Sequence, residues 1–490
     1  MTLHSRTSVK TIILCLLLLG MSLLSVIPTV GANPDTLVLL HPHSADVADD
    51  VINDFKEWYS EEYGVSISVT QLTMDSGACY QQVTTWNGEP EADVMWGGGE
   101  YYFMSLAEKG LLEGYTVSGD DDIEDVFGGW PLKDPEGQSR WYAAALSTFG
   151  IMWNNDYLEA HGVTAPQTWE DLTNPEYYGH VVMCDPAKSG STTFITIMVT
   201  EHFIVEEGWE QNATGWQNAW KYWAKLASNV GLFTESSSAV PDKVAIGEYG
   251  IGIVIDYYAW EQFKAGVNIG FNNGGATSIS ADPAGILKGA PHLTEAQRWM
   301  EYLIGKRGQE AVGRHRMPMR ADAAPTSPVL SAWYNATDVP VIPDYSRDMH
   351  NAMFSLTREM FSYWLVTNHN VVKAARDKMI ECEALGIQSY EDYQSAVEQF
   401  NMVPESSDTL VKGLAVDRKV EAANWEIWGA THFEAAKTAA QNAIDEYEQN
   451  LQEEQEREQQ AARNRMYTYV GGGIAVVVII GLLYYYTKRT

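Results

Sequence analysis

The chain has 490 residues, of which 45% are hydrophobic and 20% charged, a balance that fits a folded globular protein and excludes a disordered or fibrous one. Its 32 lysines and arginines face 65 aspartates and glutamates, so the formal net charge of −33 repels a nucleic-acid backbone at long range. Four cysteines with no CxxC pair exclude a disulfide-stapled fold and a structural zinc site, and any bridge among Cys79, Cys184 and Cys382 would be a local detail.

In chain order, Arg6 and Lys10 precede an uncharged apolar run over 11–27, then Pro28 and the small residues Val30-Gly31-Ala32. This pattern predicts a secretory signal over 1–32, cleaved near Ala32, and hence export. From Asp35 short apolar runs alternate with helical patterns: strands over 36–40, 65–69 and 92–96, and helices over 47–59 and 101–109, the last stopped by Gly110. A second such region follows 141–146, with strands over 181–184 and 250–255 around a long helical zone over 194–227. The rhythm predicts an α/β protein with two sheets, largely parallel. Asn212-Ala213-Thr214 and Asn335-Ala336-Thr337 have the form of glycosylation acceptors on an exported surface.

Ligands of open α/β sheets bind beyond the carboxyl ends of strands, and four such junctions carry unusual polar chemistry. After the first strand, His43 is a candidate contact and Ser44 either caps the next helix or faces a ligand. After the third, Gly97, Gly98 and Gly99 leave backbone amides unshielded beside the Trp96 indole, or simply make a tight turn. Ser189, Gly190, Ser191 and Thr192 open a helix with hydroxyls and free amides, the most anion-like of these first three, although one hydroxyl could serve only as a cap. Asp256, Tyr257 and Tyr258 follow the 250–255 strand, where the phenols could line a cleft, pack, or bind a hard trivalent metal as phenolates. No GxSxG elbow, HExxH helix, P-loop or dinucleotide fingerprint occurs, so neither catalytic residues nor a cofactor are expected. Asp120-Asp121-Asp122 could supply paired carboxylates to an extracellular hydrolase, but an acidic run reads first as a solvated loop.

Towards the C-terminus Phe433, Ala436, Ala440, Ile444, Tyr447 and Leu451 recur at helical spacing, and beyond them 452–460 is polar all round. This predicts a helical stalk over 431–465 whose first half packs on the domain. Residues 466–487 carry no charge and, at about 1.5 Å per residue, are long enough to cross the hydrocarbon of a bilayer. The flanking Tyr467, Tyr469, Tyr484, Tyr485 and Tyr486, with Lys488 behind them, suit a membrane anchor that leaves the bulk of the chain outside.

Taken in order, Pro42-His43-Ser44, Ala92-Asp93-Val94-Met95-Trp96-Gly97-Gly98-Gly99, Gly150-Ile151-Met152-Trp153-Asn154-Asn155, Pro166-Gln167-Thr168-Trp169, Asp185-Pro186-Ala187-Lys188-Ser189-Gly190-Ser191, Asp256-Tyr257-Tyr258-Ala259 and Asp282-Pro283-Ala284-Gly285 carry a resemblance. Over about 35–320 the chain resembles the extracellular solute-binding proteins of ABC importers, of the type II periplasmic binding fold, in the branch that takes ferric iron, phosphonates and related anions. The resemblance implies two lobes closing by a hinge: 33–145 as the first part of lobe 1, 146–278 as lobe 2, and 279–430 as the return to lobe 1 with C-terminal helices. It implies that His43, Ser44 and 96–99 face Ser189, Gly190, Ser191, Thr192, Asp256, Tyr257 and Tyr258 across a cleft. The implied partners are a small solute, an ABC permease and its ATPase. In the iron-binding members tandem tyrosines such as Tyr257 and Tyr258 are metal ligands. Here His43 stands one residue earlier than their histidine when Phe55 is the anchor, and no carboxylate ligand is assigned, so a small anion such as a phosphonate or phosphate ester comes ahead of ferric iron. A ligand-sensing or adhesive surface protein of the same fold is the alternative without a transporter.

Overall fold

The computed structural model describes residues 35–127, 130–208, 212–320, 322–323, 342, 347–404 and 418–488. The expected signal and the Asn335 acceptor lie outside the described residues.

Strand β1 (Asp35–His41) buries Leu37, Leu39 and Leu40 completely, because a central parallel strand is covered on both faces. Helix α1 (Ala45–Tyr63) turns Val47, Val51, Ile52, Phe55 and Tyr59 inward at three- and four-residue steps and ends at Gly64 with φ 70°. Strand β2 (Ile67–Thr73) starts two residues later than the apolar run suggested, since its pairing begins at Asp35 opposite Ile67. Then come α2 (Ser76–Trp86), β3 (Val94–Trp96), α3 (Glu100–Glu108), β4 (Leu112–Glu113) and the short pair β5 (Val126–Phe127) and β6 (Trp130–Pro131). Strand β7 (Tyr142–Ser147) closes this half, and β13 (Ser280–Leu287) returns to it much later. The first sheet has the order β2-β1-β3-β13-β4, with β7 also on β13.

The second sheet, β10-β9-β11-β8-β12, is built from β8 (Phe149–Asn154), β9 (Val181–Cys184), β10 (Val230–Thr234), β11 (Ile251–Ile255) and β12 (Ile269–Asn272). Around it lie α4 (Asn155–His161), α5 (Gly190–Glu207), α6 (Asn212–Asn229), α7 (Ala239–Ala245) and α8 (Asp256–Lys264). The long helical zone expected over 194–227 is therefore two helices, α5 ending at Gly208 with φ 87°. Both sheets are mixed. Pairs β1–β2, β1–β3, β9–β10 and β9–β11 are parallel, whereas β13 and β8 pair antiparallel with all their neighbours. The reason is the crossing: β7 and β8 are one extended run with only Thr148 between them, and β13 comes back against it.

The segment 279–430 divides between the halves. Helices α9 (Leu293–Ile304) and α10 (Lys306–Val312) pack on α1 and the first sheet, whereas α11 (Arg347–Phe361) packs on α5 and α12 (His369–Leu385) on α6. Helix α13 (Glu391–Phe400) lies against the 70-residue α14 (Arg418–Thr487). On α14, Phe433, Ala436, Ala440 and Ile444 are buried, but Leu451 is exposed, and so is the apolar stretch from Met466. Cys79, Cys184 and Cys382 are separate buried thiols, and burial pushes the first two up to about 12.

Asp93, fully buried, ties the first half together. Its carboxylate accepts from the Val38 amide at 2.7 Å, the His292 amide at 2.7 Å and lies 3.0 Å from His292 Nδ1. Asp93→Ala strands two amides, one in the middle of β1 and one at the start of α9, and chemical denaturation is expected to read a loss of about 2–4 kcal/mol.

Candidate functional site

A cleft runs between the carboxyl ends of the two sheets' strands, and each wall is built by a strand-to-helix loop. From the β1–α1 loop, Pro42 and His43 line it. The His43 ring, 4% exposed, is tilted on Trp96 at 4.2 Å, and its Nε2 has no hydrogen-bond partner. Burial holds this imidazole well below its ordinary value, outweighing the pull of Asp282, so it is neutral. Ser44 occupies the N-cap position without capping; its hydroxyl donates instead to Glu261 Oε1 on α8 of the other lobe at 2.5 Å.

Gly97, Gly98 and Gly99 have φ of 90°, 119° and 91°, a conformation that side chains rarely adopt, and a Cβ on Gly97 would sit 2.7 Å from the His43 ring. Glycine is required here for approach as well as for turning. The amides expected to stand free are filled: Gly98 N and Gly99 N donate to Asp282 Oδ1 at 2.7 and 3.2 Å, and Gly97 N to the Pro283 carbonyl at 2.7 Å. Gly98 and Gly99 line the cleft, while Gly97 and the 2%-exposed Trp96, wedged between His43 and Trp299, stand behind it.

Across the cleft, Ser189, Gly190 and Ser191 line the wall at the α5 start. Ser189 Oγ accepts from Thr192 N at 3.3 Å, a helix cap, and lies 3.0 Å from Ser191 Oγ. Thr192 itself is turned into the protein. Tyr257 and Tyr258 line the cleft from α8 with ring centroids 4.4 Å apart, and burial raises both phenols above their ordinary value. Asp256 lies behind them. Its carboxylate accepts from the Thr148 amide at 2.8 Å and the Tyr257 amide at 2.7 Å, which pins the crossing between sheets, and burial pushes it up to about 6.

The sequence reasoning missed the charge at the centre. Arg316, 2% exposed, pairs through Nη1 with Asp282 Oδ2, donates from Nη2 to Ser147 Oγ at 2.7 Å, and sits 4.5 Å from the centre of the Tyr257 ring. Its Nε is buried with no partner. Among the described lining residues it is the only arginine or lysine. Burial opposes ionisation of Asp282, but Arg316 and the Gly98 amide hold it below the usual carboxylate range. The available signal was Arg314-His315-Arg316, three basic side chains in a row in a chain with twice as many acids as bases. His350 and Phe354 of α11 also line the cleft and were not foreseen.

Two mixed sheets joined by crossing strands, with a cleft between them, define a two-lobed binding protein of the type II periplasmic kind. Residues 89–335, half of the chain, match the family model of bacterial extracellular solute-binding proteins. The chain belongs to that family, whose members bind solutes and are not enzymes. Over 172 residues it is 29% identical to the phosphoglycerate transport regulatory protein PgtC of Salmonella typhimurium, a match spanning 35% of this chain and only 40% of that one. Over 289 residues it is 21% identical to a putative 2-aminoethylphosphonate-binding periplasmic protein of Salmonella typhi, covering 55% and 76% of the two chains. The periplasmic binding protein AfuA of Actinobacillus pleuropneumoniae, solved with fructose-6-phosphate, superposes with a TM-score of 0.57 at 21% identity, over 68% of this chain and 99% of that one. The apo ferric ion-binding protein A of Pasteurella haemolytica gives 0.51 at 15% identity, over 67% and 97%. At these identities the two structures share the fold.

Burial among the rings of Trp130, Phe194 and Phe354 lowers His350 to about 3. Below pH about 6.5 the unfolded chain takes up a proton that the folded chain refuses until about pH 3, so stability rises with pH across this window. The melting temperature is expected to fall on acidification from pH 6.5 to 4, and less steeply in His350→Gln.

Proposed function

We propose that this chain is the extracellular receptor of an ABC importer, which closes its lobes on a small organic phosphate or phosphonate and delivers it to a permease and its ATPase. The observation that carries the reading is Arg316: a buried guanidinium on the cleft wall, two of its nitrogens committed to Asp282 and Ser147 and its Nε–H unused. A buried N–H without a partner costs free energy that an anionic oxygen would recover as a charge-assisted bond. The hydroxyls of Ser189 and Ser191 at the positive end of α5 and the His43 imidazole complete a set of groups suited to oxyanions. Relatives named for phosphoglycerate transport and for 2-aminoethylphosphonate, and a structural neighbour holding fructose-6-phosphate, support the same class.

Ferric iron is the second reading, because Tyr257, Tyr258 and His43 share the cleft. Against it, both phenols are raised above their ordinary value and a guanidinium already lies on the Tyr257 ring, so a trivalent cation would meet a like charge.

We place the receptor on the outer face of the cytoplasmic membrane, exported by 1–32 and held by 466–487. Among the described residues one helix is long and apolar enough to cross a membrane, and its apolar window is wholly unburied. The polar stretch before it would hold the cleft away from the bilayer.

The purified chain in detergent is expected to melt higher with methylphosphonate or fructose 6-phosphate and to show no shift with ferric citrate. Calorimetry is expected to read about tenfold weaker phosphonate binding in Arg316→Lys, which keeps the charge and loses the planar fork, and a smaller loss in Ser191→Ala. A visible phenolate-to-iron band with ferric citrate and no shift with either anion would transfer the site to iron.

A further inference from the structure

The cleft has a third wall from outside the family-matched segment. That match ends at residue 335, and α11 begins at Arg347. Helix α11 is docked on the second lobe through α5, and two hydrogen bonds tie its end to the loop that leads into Ser189: Arg358 Nη2 donates to the Ala187 carbonyl at 2.6 Å and Ser362 Oγ to Asp185 Oδ2 at 2.9 Å. From this helix His350 and Phe354 face the same cleft as Arg316. Phe354 stacks on Tyr101 of α3 at 4.1 Å with the planes 14° apart, so α11 also reaches the first lobe. His350 lies 4.4 Å from Phe194, which stacks on Phe149 at 4.4 Å. The result is a run of aromatic contacts drawn from α3, α5, β8 and α11 that lines the same cleft as Arg316, His43, Asp282 and Tyr257.

We propose that this wall, with Phe354 at its centre, selects the ligand: an anion that carries a flat apolar or aromatic body beside its charged group. The inference rests on the anion reading of the cleft and adds the chemistry of the other end of the ligand. Arg316 takes the charged group, and the rings of Phe354, Tyr101 and Phe194 take the body by stacking and by excluding water. His350, neutral across the physiological range, adds no charge that would disfavour an apolar group there.

The test compares two anions of equal charge that differ only in the body, methylphosphonate and phenylphosphonate, by calorimetry on the full chain in detergent micelles. Wild type is expected to bind phenylphosphonate at least about tenfold more tightly. In Phe354→Ala the ratio of the two affinities is expected to fall to about threefold or less, with Phe354→Leu, the safer variant for folding, in between. Because the ratio is read within each variant, general loosening of the protein does not imitate the effect. Equal affinity for the two anions in wild type, or a ratio unchanged in both variants, overturns the wall and leaves the anion reading standing. Failure of both anions to bind takes down that reading and this inference together.

Discussion

One ion pair holds the site together. Arg316 is buried and the Asp282 side chain is 15% exposed on the cleft wall, so both ions give up hydration at a cost. Hydrogen bonds offset that cost. Asp282 accepts from Gly98 N, Gly99 N and Arg316, and Arg316 also donates to Ser147 and stacks on Tyr257. The pair therefore joins the glycine turn, the end of β7 where the chain leaves the first lobe, the start of β13 where it returns, and the α8 wall of the second lobe. Its presence explains why three consecutive residues adopt positive φ: only glycines let two amides converge on one carboxylate while His43 presses from the side. It also leaves the Gly98 and Gly99 amides occupied by a carboxylate and the Nε–H of Arg316 without a partner.

The lobes are in contact in this structure. A Cβ on Gly190 of the second lobe would lie 3.6 Å from the Gly98 carbonyl of the first, Ser44 bonds to Glu261, and Lys264 Nζ lies 3.1 Å from His315 Nδ1. A ligand that touches both walls shifts the population towards closure by its differential affinity. At the hinge Thr148 is held by Asp256, and Asn273 and Thr277 on the returning segment both bond to the Phe149 carbonyl.

The fold was legible where the signal is local. Apolar runs and helical stripes located β1, β2, β3, β9 and β11, and the order of loop motifs pointed to the family. The loops themselves were legible as places and less so as chemistry. His43, Gly98, Gly99, Ser189, Gly190, Ser191, Tyr257 and Tyr258 reach the cleft, while Ser44, Trp96, Gly97, Thr192 and Asp256 do not line it, because each has a partner distant in sequence or turns inward. That the glycine amides are occupied could not be read from the turn, since their acceptor Asp282 stands 184 residues away from Gly98. Arg316 lay in an unremarked basic triplet, and α11 in a segment with no motif, so their convergence on the cleft is a product of tertiary packing alone.

The most direct measurement is a crystal structure of the chain with methylphosphonate bound. The account requires a phosphonate oxygen within hydrogen-bonding distance of Arg316 Nε, with the Asp282 pair intact and both lobes touching the ligand. An anion bound elsewhere, with Arg316 Nε still unused, would contradict it.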